Sequence, residues 1–267
     1  MNDLLVSLVQ SSPVWEDAAA SLQHLDQVLQ AQDQPAHVIV LPEMFSTGFS
    51  MQPEKYAQAM DGSAVAWMRA MAKEKNAIVT GSLMTEENGQ YFNRLLWVLP
   101  NGKTGHYDKR HLFAFANEHL HYGAGKKRMI ARVNGWKICL QVCYDLRFPV
   151  WARQRPAREG PQDAQPEYDV LIYVANWPSS RSHAWKVLLH ARAIENQCYV
   201  IGVNRVGTDG NGLHYAGGSL VVGPLGETLY QANDQEEIQT QRLSFQQLKD
   251  ARAAFPFLQD GDDFLLL

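Results

Sequence analysis

Cysteine is scarce in this chain: three among 267 residues, at Cys139, Cys143 and Cys198. So small and odd a number excludes a disulfide framework and points to reduced thiols in a cytoplasmic protein. Excess charge of either sign is missing too. Lys and Arg number 24 against 28 Asp and Glu, a formal net charge of −4, which does not suit a nucleic-acid partner. No apolar run approaches the length of a membrane span. Met1–Gln10 has no basic region ahead of it and is interrupted by Asp3, so it reads as a first strand and not as a signal peptide. Repeats, low-complexity tracts and HExxH or CxxC motifs are also lacking. What is present is 46% hydrophobic and 19% charged, the balance of a globular protein able to bury a core without staples.

Strand and helix patterns alternate along the chain. Short β-rich apolar runs are expected at Leu4–Gln10, His37–Leu41, Ala77–Met84, Tyr168–Ala175, Cys198–Asn204 and Gly218–Val222. Helical spacing appears in Trp15–Gln32 and Ser63–Asn76, and further helices are expected at Pro149–Arg155 and His183–Asn196. Tyr91–Leu99 and Lys103–Tyr107 flank Pro100-Asn101-Gly102, and Met129–Val133 and Trp136–Val142 flank Asn134-Gly135, two hairpin signals. Pro224-Leu225-Gly226 is a turn, and Ser244-Phe245-Gln246-Gln247 matches a capping box that opens a last helix. The polar stretch Arg153–Glu167 reads as a surface loop, since apolar strands resume directly after it. Crossovers mixed with hairpins predict a mixed sheet or two sheets with helices outside, a layered α/β sandwich in one domain over residues 1–267.

Three reactive side chains stand where a β run stops: Glu43 after His37–Leu41, Lys109 after Lys103–Tyr107, and Cys143 after Trp136–Val142. Ligands of α/β sheets bind at the carboxyl ends of strands, so the three can converge on one crevice. Their chemistry is complementary. A thiol attacks a carbonyl as thiolate and needs a base or a nearby cation. Glu43 can take the proton, while Lys109 and the backbone N–H of Tyr144 can hold an oxyanion. Each residue has a plainer reading as well. Cys143 can be a small buried hydrophobe, as Cys139 and Cys198 are expected to be; Cys139, four residues earlier, shares a strand face with it. Glu43 can be a solvated carboxylate, and Lys109-Arg110 a basic turn. His106, His111, His119 and His121 raise a metal question, and His119-x-His121 would share a face on a strand, but no accompanying motif supports a metal. Trp151, Trp177 and Trp185 can be core or pocket wall. Trp177, between a strand and Pro178, fits the pocket better.

The segments LPEMFSTGF (Leu41–Phe49), YDKRHLF (Tyr107–Phe113) and CYDLRFP (Cys143–Pro149) resemble, in order, the three signature blocks of the nitrilase (carbon–nitrogen hydrolase) superfamily. DVLIYVANWP, HARAIENQCYVIGVNR and GGSLVVGPLGE extend the resemblance over nearly the whole chain. It implies a four-layer αββα sandwich with two mixed sheets, usually dimeric, with no metal or organic cofactor. It implies a Glu43–Lys109–Cys143 triad, with Glu118 of ANEHLHYG as the second glutamate. Cys-Tyr-Asp after the nucleophile resembles the amidase branches, and CYDLRF with NWPSSRSHAW is most similar to the ω-amidases, which deamidate 2-oxoglutaramate and 2-oxosuccinamate. Phe49, Arg147, Trp177 and Arg181 are the candidate substrate-binding residues. The two arginines offer forked donors to a carboxylate, although Arg147 can equally form a buried ion pair with a residue such as Glu195. The rival functions are an amidase or N-carbamoyl hydrolase for another small compound, a non-catalytic binding protein on the same fold, and a metal hydrolase.

Overall fold

The computed structural model describes residues 2–31, 34–154, 166–262 and 264. Its first half runs β1 (Leu4–Gln10), α1 (Ala18–Gln30), β2 (Val38–Val40), α2 (Pro53–Tyr56), α3 (Ser63–Glu74), β3 (Ile78–Glu87), β4 (Gln90–Val98), β5 (Thr104–Asp108) and α4 (Glu118–His121). The second half runs β6 (Met129–Val133), β7 (Trp136–Val142), α5 (Pro149–Ala152), β8 (Val170–Ala175), α6 (Ser182–Asn196), β9 (Tyr199–Asn204), β10 (Val206–Thr208) and β11 (His214–Ala216). It ends in β12 (Leu220–Val222), β13 (Thr228–Gln231), β14 (Glu237–Leu243) and α7 (Phe245–Ala254).

Twelve of the strands form two six-stranded mixed sheets, ordered β14-β1-β2-β3-β4-β5 and β13-β12-β9-β8-β7-β6, and β10 and β11 pair as a separate hairpin. Each has a parallel centre, β1-β2-β3 in one and β7-β8-β9 in the other, flanked by antiparallel strands. Alternation along the strands decides what packs where. Leu4, Val6, Leu8, Val38 and Ile78 meet Ile138, Leu140, Val170, Ile172 and Ile201 between the sheets. The opposite faces turn outward. Val9, Ile39 and Val79 receive Leu22, Leu25 and Leu29 of α1 and Val65 and Met68 of α3. On the other side, Leu171, Tyr173 and Val200 receive Trp185, Leu189 and Ala193 of α6. The result is an αββα sandwich. Strands buried on both faces explain why VIV and VLIYVA are unbroken apolar runs. Each large aliphatic side chain buried in this way contributes about 1.5–3 kcal/mol.

Some boundaries differ from the sequence reading. α1 begins at Ala18, not Trp15, because Asp17 caps it by accepting from the Ala20 N–H at 2.9 Å. Its expected end at Gln32 lies outside the described residues, as does Arg155 at the expected end of α5. α5 is a single turn that stops at Ala152. Most of the loop expected at Arg153–Glu167, residues 155–165, is likewise outside the described residues. β3 runs on to Glu87 and turns into β4 through Asn88-Gly89, both at positive φ, an Asn-Gly hairpin that the run ending at Met84 had concealed. Ser244 caps α7 as expected, accepting from the Gln247 N–H at 3.3 Å.

Candidate active site

Glu43 follows β2, Lys109 follows β5 and Cys143 follows β7, and the face-to-face sheets bring these three strand ends together. Glu43, Lys109 and Glu118 are fully buried. The Lys109 ammonium donates to Glu43 Oε1 at 2.9 Å and to Glu118 Oε1 at 3.0 Å, with Glu118 Oε2 at 2.9 Å. Glu118 is therefore not a surface residue. Asn117, at φ +61, turns the chain into α4, so Glu118 points inward while its neighbours His119 and His121 are exposed. The two histidines lie on this helical turn and not on a strand. Among the described residues, no group of three or more His, Cys, Asp or Glu side chains is placed to hold a metal ion.

Buried charge is tolerated only when every lone pair and proton is matched. Glu43 Oε1 accepts from Asn93 Nδ2 at 2.8 Å, and its Oε2 from the Asn176 N–H at 2.8 Å. Asn176 Nδ2 also donates to the Glu43 carbonyl at 2.6 Å. Glu118 accepts from the Phe113 N–H at 2.6 Å and from Asn93 Nδ2 at 3.1 Å. Gly125 donates its N–H to the Lys109 carbonyl at 2.9 Å, and a Cβ there would collide with the Asp108 carbonyl, so glycine is required at this approach.

Cys143 is half-buried and left-handed, at φ +43, where a non-glycine residue is strained. The kink ends β7 and starts a short 3-10 turn over Cys143–Arg147, whose first N–H groups, Tyr144 included, have no intrahelical partner. Because the strand stops at Val142, the shared strand face expected for Cys139 and Cys143 is not realised. Cys139 and Cys198 sit in the core under α6, and all three thiols are free. Burial and the Glu43 carboxylate push the Cys143 thiol well above the ordinary thiol range, and Lys109 pulls it back. Burial opposes the Lys109 charge, but Glu118 and Glu43 outweigh it and hold the ammonium protonated. The thiol thus rests protonated beside a carboxylate that can take its proton.

Asp145 of the same turn locks the nucleophile to the lysine segment. Its Oδ1 accepts the His111 N–H at 2.9 Å and lies 2.8 Å from His111 Nδ1. Its Oδ2 accepts from the Tyr107 hydroxyl at 2.8 Å and the Val142 N–H at 3.0 Å. Trp151 Nε1 donates to the same Tyr107 hydroxyl at 2.9 Å. Trp151 and Trp185 are thus structural, the latter on the buried face of α6 with its Nε1 donating to the Gly218 carbonyl.

Cys143 and Lys109 line a cavity of about 190 Å³ whose wall includes Phe49, Tyr144, Arg147, Trp177, Arg181 and the β10–β11 hairpin through Asp209, Leu213 and Tyr215. All four expected substrate-binding residues meet there. Arg147 is exposed and lies over the Trp177 ring at 5.0 Å, and Arg181 over the Phe113 ring at 5.4 Å. Among the described residues Arg147 forms no buried ion pair; Glu195 pairs with Arg192 instead, at 3.0 Å. The Asp209 carboxylate is committed to the N–H groups of Asn211 and Leu213 and to the Tyr215 hydroxyl. Asn93, Asn176, Asp145 and the hairpin were not foreseen. The adjacent polar pair Asn93-Arg94, inside an otherwise apolar strand, was the available signal for the first.

The carbon–nitrogen hydrolase family matches residues 5–253. The chain is 46% identical over its whole length to a protein named omega-amidase YafV from Escherichia coli, covering all of that protein. It is 30% identical to a 2-oxoglutaramate amidase from Bacillus subtilis, with 96% of each chain covered. Among solved structures, a CN-hydrolase superfamily protein from Xanthomonas campestris, described with an arsenic adduct in its active site, superposes with a TM-score of 0.96 at 47% identity over all of both chains. Matched in sequence from end to end and in the architecture of both sheets, the chain belongs to the carbon–nitrogen hydrolase family.

Proposed function

We propose that this hydrolase is an ω-amidase that releases ammonia from short dicarboxylate monoamides, 2-oxoglutaramate or 2-oxosuccinamate, through a thioester on Cys143. The observation that carries the reading is the buried Glu43–Lys109–Glu118 cluster, which opens onto Cys143 in a cavity edged by two arginines. The full-length likeness to proteins named for these activities supports the substrate class.

In this mechanism Glu43 takes the Cys143 proton as sulfur bonds to the amide carbon. The carbonyl oxygen gains the negative charge, held by the Lys109 ammonium and the Tyr144 N–H. Glu43 returns the proton to nitrogen, the C–N bond breaks and ammonia leaves. Glu43 then takes a proton from water, whose oxygen attacks the thioester carbon. The proton returns to sulfur as the C–S bond breaks, and the acid departs. Glu118 keeps Lys109 aimed throughout. Arg181, with Arg147, binds the distant carboxylate, so remote binding energy orients the amide. The cluster needs no metal or organic cofactor for these steps.

The free thiols suit a reducing compartment, and we place the protein in the cytoplasm. We read residues 1–267 as one domain and the protein as a homodimer. Val187 and Ile194 of α6 and Leu225, all about half exposed, offer an apolar patch for a second copy. The test of the activity is an ammonia-release screen. Dicarboxylate monoamides should be the best substrates; neutral aliphatic amides or nitriles turned over faster than all of them would refute the ω-amidase reading while leaving the family assignment intact.

A further inference from the structure

Asn93 does more than fill β4. Its side-chain NH2 group donates to Glu43 Oε1 at 2.8 Å and to Glu118 Oε1 at 3.1 Å. These are the same two oxygens that Lys109 Nζ bridges from another direction. Two carboxylate oxygens are therefore spanned by two shared donors, one charged and one neutral. The amide can face them only through its nitrogen, because a carbonyl there would meet two anionic oxygens. That orientation has a cost: Asn93 Oδ1 is buried without a hydrogen-bond partner among the described residues. A buried acceptor left unmatched calls for a reason. The backbone of Asn93 joins the same arrangement, its carbonyl accepting the Lys109 N–H at 3.0 Å. One strand residue thus fixes both glutamates and the lysine.

We propose that Asn93 is a positioning residue that keeps Glu43 and Glu118 ionised together around a single ammonium, and so sets the pH below which the base is lost. The inference rests on the thiol mechanism above. Two carboxylates with one cation between them carry a net negative charge, and crowded carboxylates otherwise share a proton. A neutral donor to both oxygens stabilises the doubly ionised form without adding a charge that would compete for the oxyanion. The charged and titratable groups around the amide are Glu43 after β2, Lys109 after β5, Glu118 on α4, Tyr122 just beyond it, and Cys143 after β7. Tyr122 feels the charges of Glu118, Lys109 and Glu43, and burial holds its phenol protonated, so it does not titrate in the working range. Removing the donor destabilises the ionised pair, and the pair takes up a proton at higher pH.

The experiment is the pH profile of kcat/KM for ammonia release by the wild type, Asn93→Ala and Asn93→Asp, with thermal midpoints recorded. Loss of a hydrogen bond to a charged group should move the acid limb of Asn93→Ala up by about one pH unit, with most activity regained at higher pH. Asn93→Asp keeps the shape but adds a third carboxylate, and its limb should move further, by about two pH units. It also carries the test if Asn93→Ala fails to fold. Folded variants that lose activity by one factor at every pH assign Asn93 to packing and overturn the inference. A parallel arm alkylates Cys143 of the wild type with iodoacetamide. Loss of activity together with unshifted limbs removes the Asn93 inference alone; activity that survives complete alkylation removes the thiol mechanism and this inference with it.

Discussion

Glu43, Lys109 and Cys143 stand just past the ends of sheet strands, whereas Arg147, Arg181 and Leu213 hang on short turns and on the loop of the β10–β11 hairpin around the cavity mouth. The inner groups are doubly held, with Glu43 and Lys109 fully buried and Cys143 half-buried. Glu43 is gripped by Lys109, Asn93 and Asn176, and the Cys143 turn is tied through Asp145 to His111 and Tyr107. The outer groups rest on aromatic faces, Arg147 over Trp177 and Arg181 over Phe113, and Leu213 is 47% exposed. The contrast separates two jobs. Reaction chemistry needs charges fixed before the transition state forms, and a sheet edge provides that rigidity. Choice of substrate needs a surface that changes without disturbing the chemistry, and loops provide it.

Substitutions at the floor should therefore act on kcat and those at the rim on KM and selectivity. The largest effect is expected from Cys143→Ala, which should abolish ammonia release while leaving the thermal midpoint close to wild type, since alanine adds no bulk. Lys109→Ala should lower kcat by roughly 10²- to 10³-fold, more than it raises KM, because the ammonium acts on charge that develops in the transition state. A change confined to KM would move Lys109 to the binding side of the comparison. At the rim, wild-type enzyme should prefer a free distal carboxylate over its methyl ester by roughly 10-fold or more, and Arg181→Met should erase most of that preference with kcat for the ester unchanged. An undiminished preference would remove Arg181 from carboxylate recognition. The smallest effect is expected from Leu213→Ala. Its side chain is half exposed, and losing part of an apolar contact should raise KM about three-fold at constant kcat.

The same contrast governs what was legible in the sequence. The parallel strands β2 and β7 announce themselves as apolar runs, and the reactive residue after each is conspicuous, which is how Glu43 and Cys143 stand out; Lys109 follows the antiparallel edge strand β5, TGHYD, and stands out through the YDKRHLF block instead. Asn93 does not, because it lies within a strand: the Asn101-Gly102 signal announces that β4 pairs with β5, but not that Glu43 after β2 and Glu118 on α4 meet at its side chain. Tyr107, Asp145 and His111 meet only when the two sheets face each other. β14, with the polar sequence EIQTQRL, becomes a strand by pairing with β1 and carries no apolar run of its own. The β10–β11 hairpin is set by Asp209, which accepts two N–H groups of its own loop, in a stretch whose composition reads only as a turn. The strand face that the spacing of His119 and His121 would give is absent for a related reason: the left-handed Asn117 turns the chain into a helix there.

Passage of a covalent acyl group through Cys143 is tested directly by mass spectrometry of enzyme quenched in acid during turnover of 2-oxoglutaramate or 2-oxosuccinamate, followed by peptide mapping. An adduct equal to the substrate less ammonia is expected on the peptide that carries Cys143, absent from Cys143→Ala and accumulating further as deacylation is slowed. Steady ammonia release by Cys143→Ala, or an adduct confined to a peptide carrying Cys139 or Cys198, would contradict passage through Cys143.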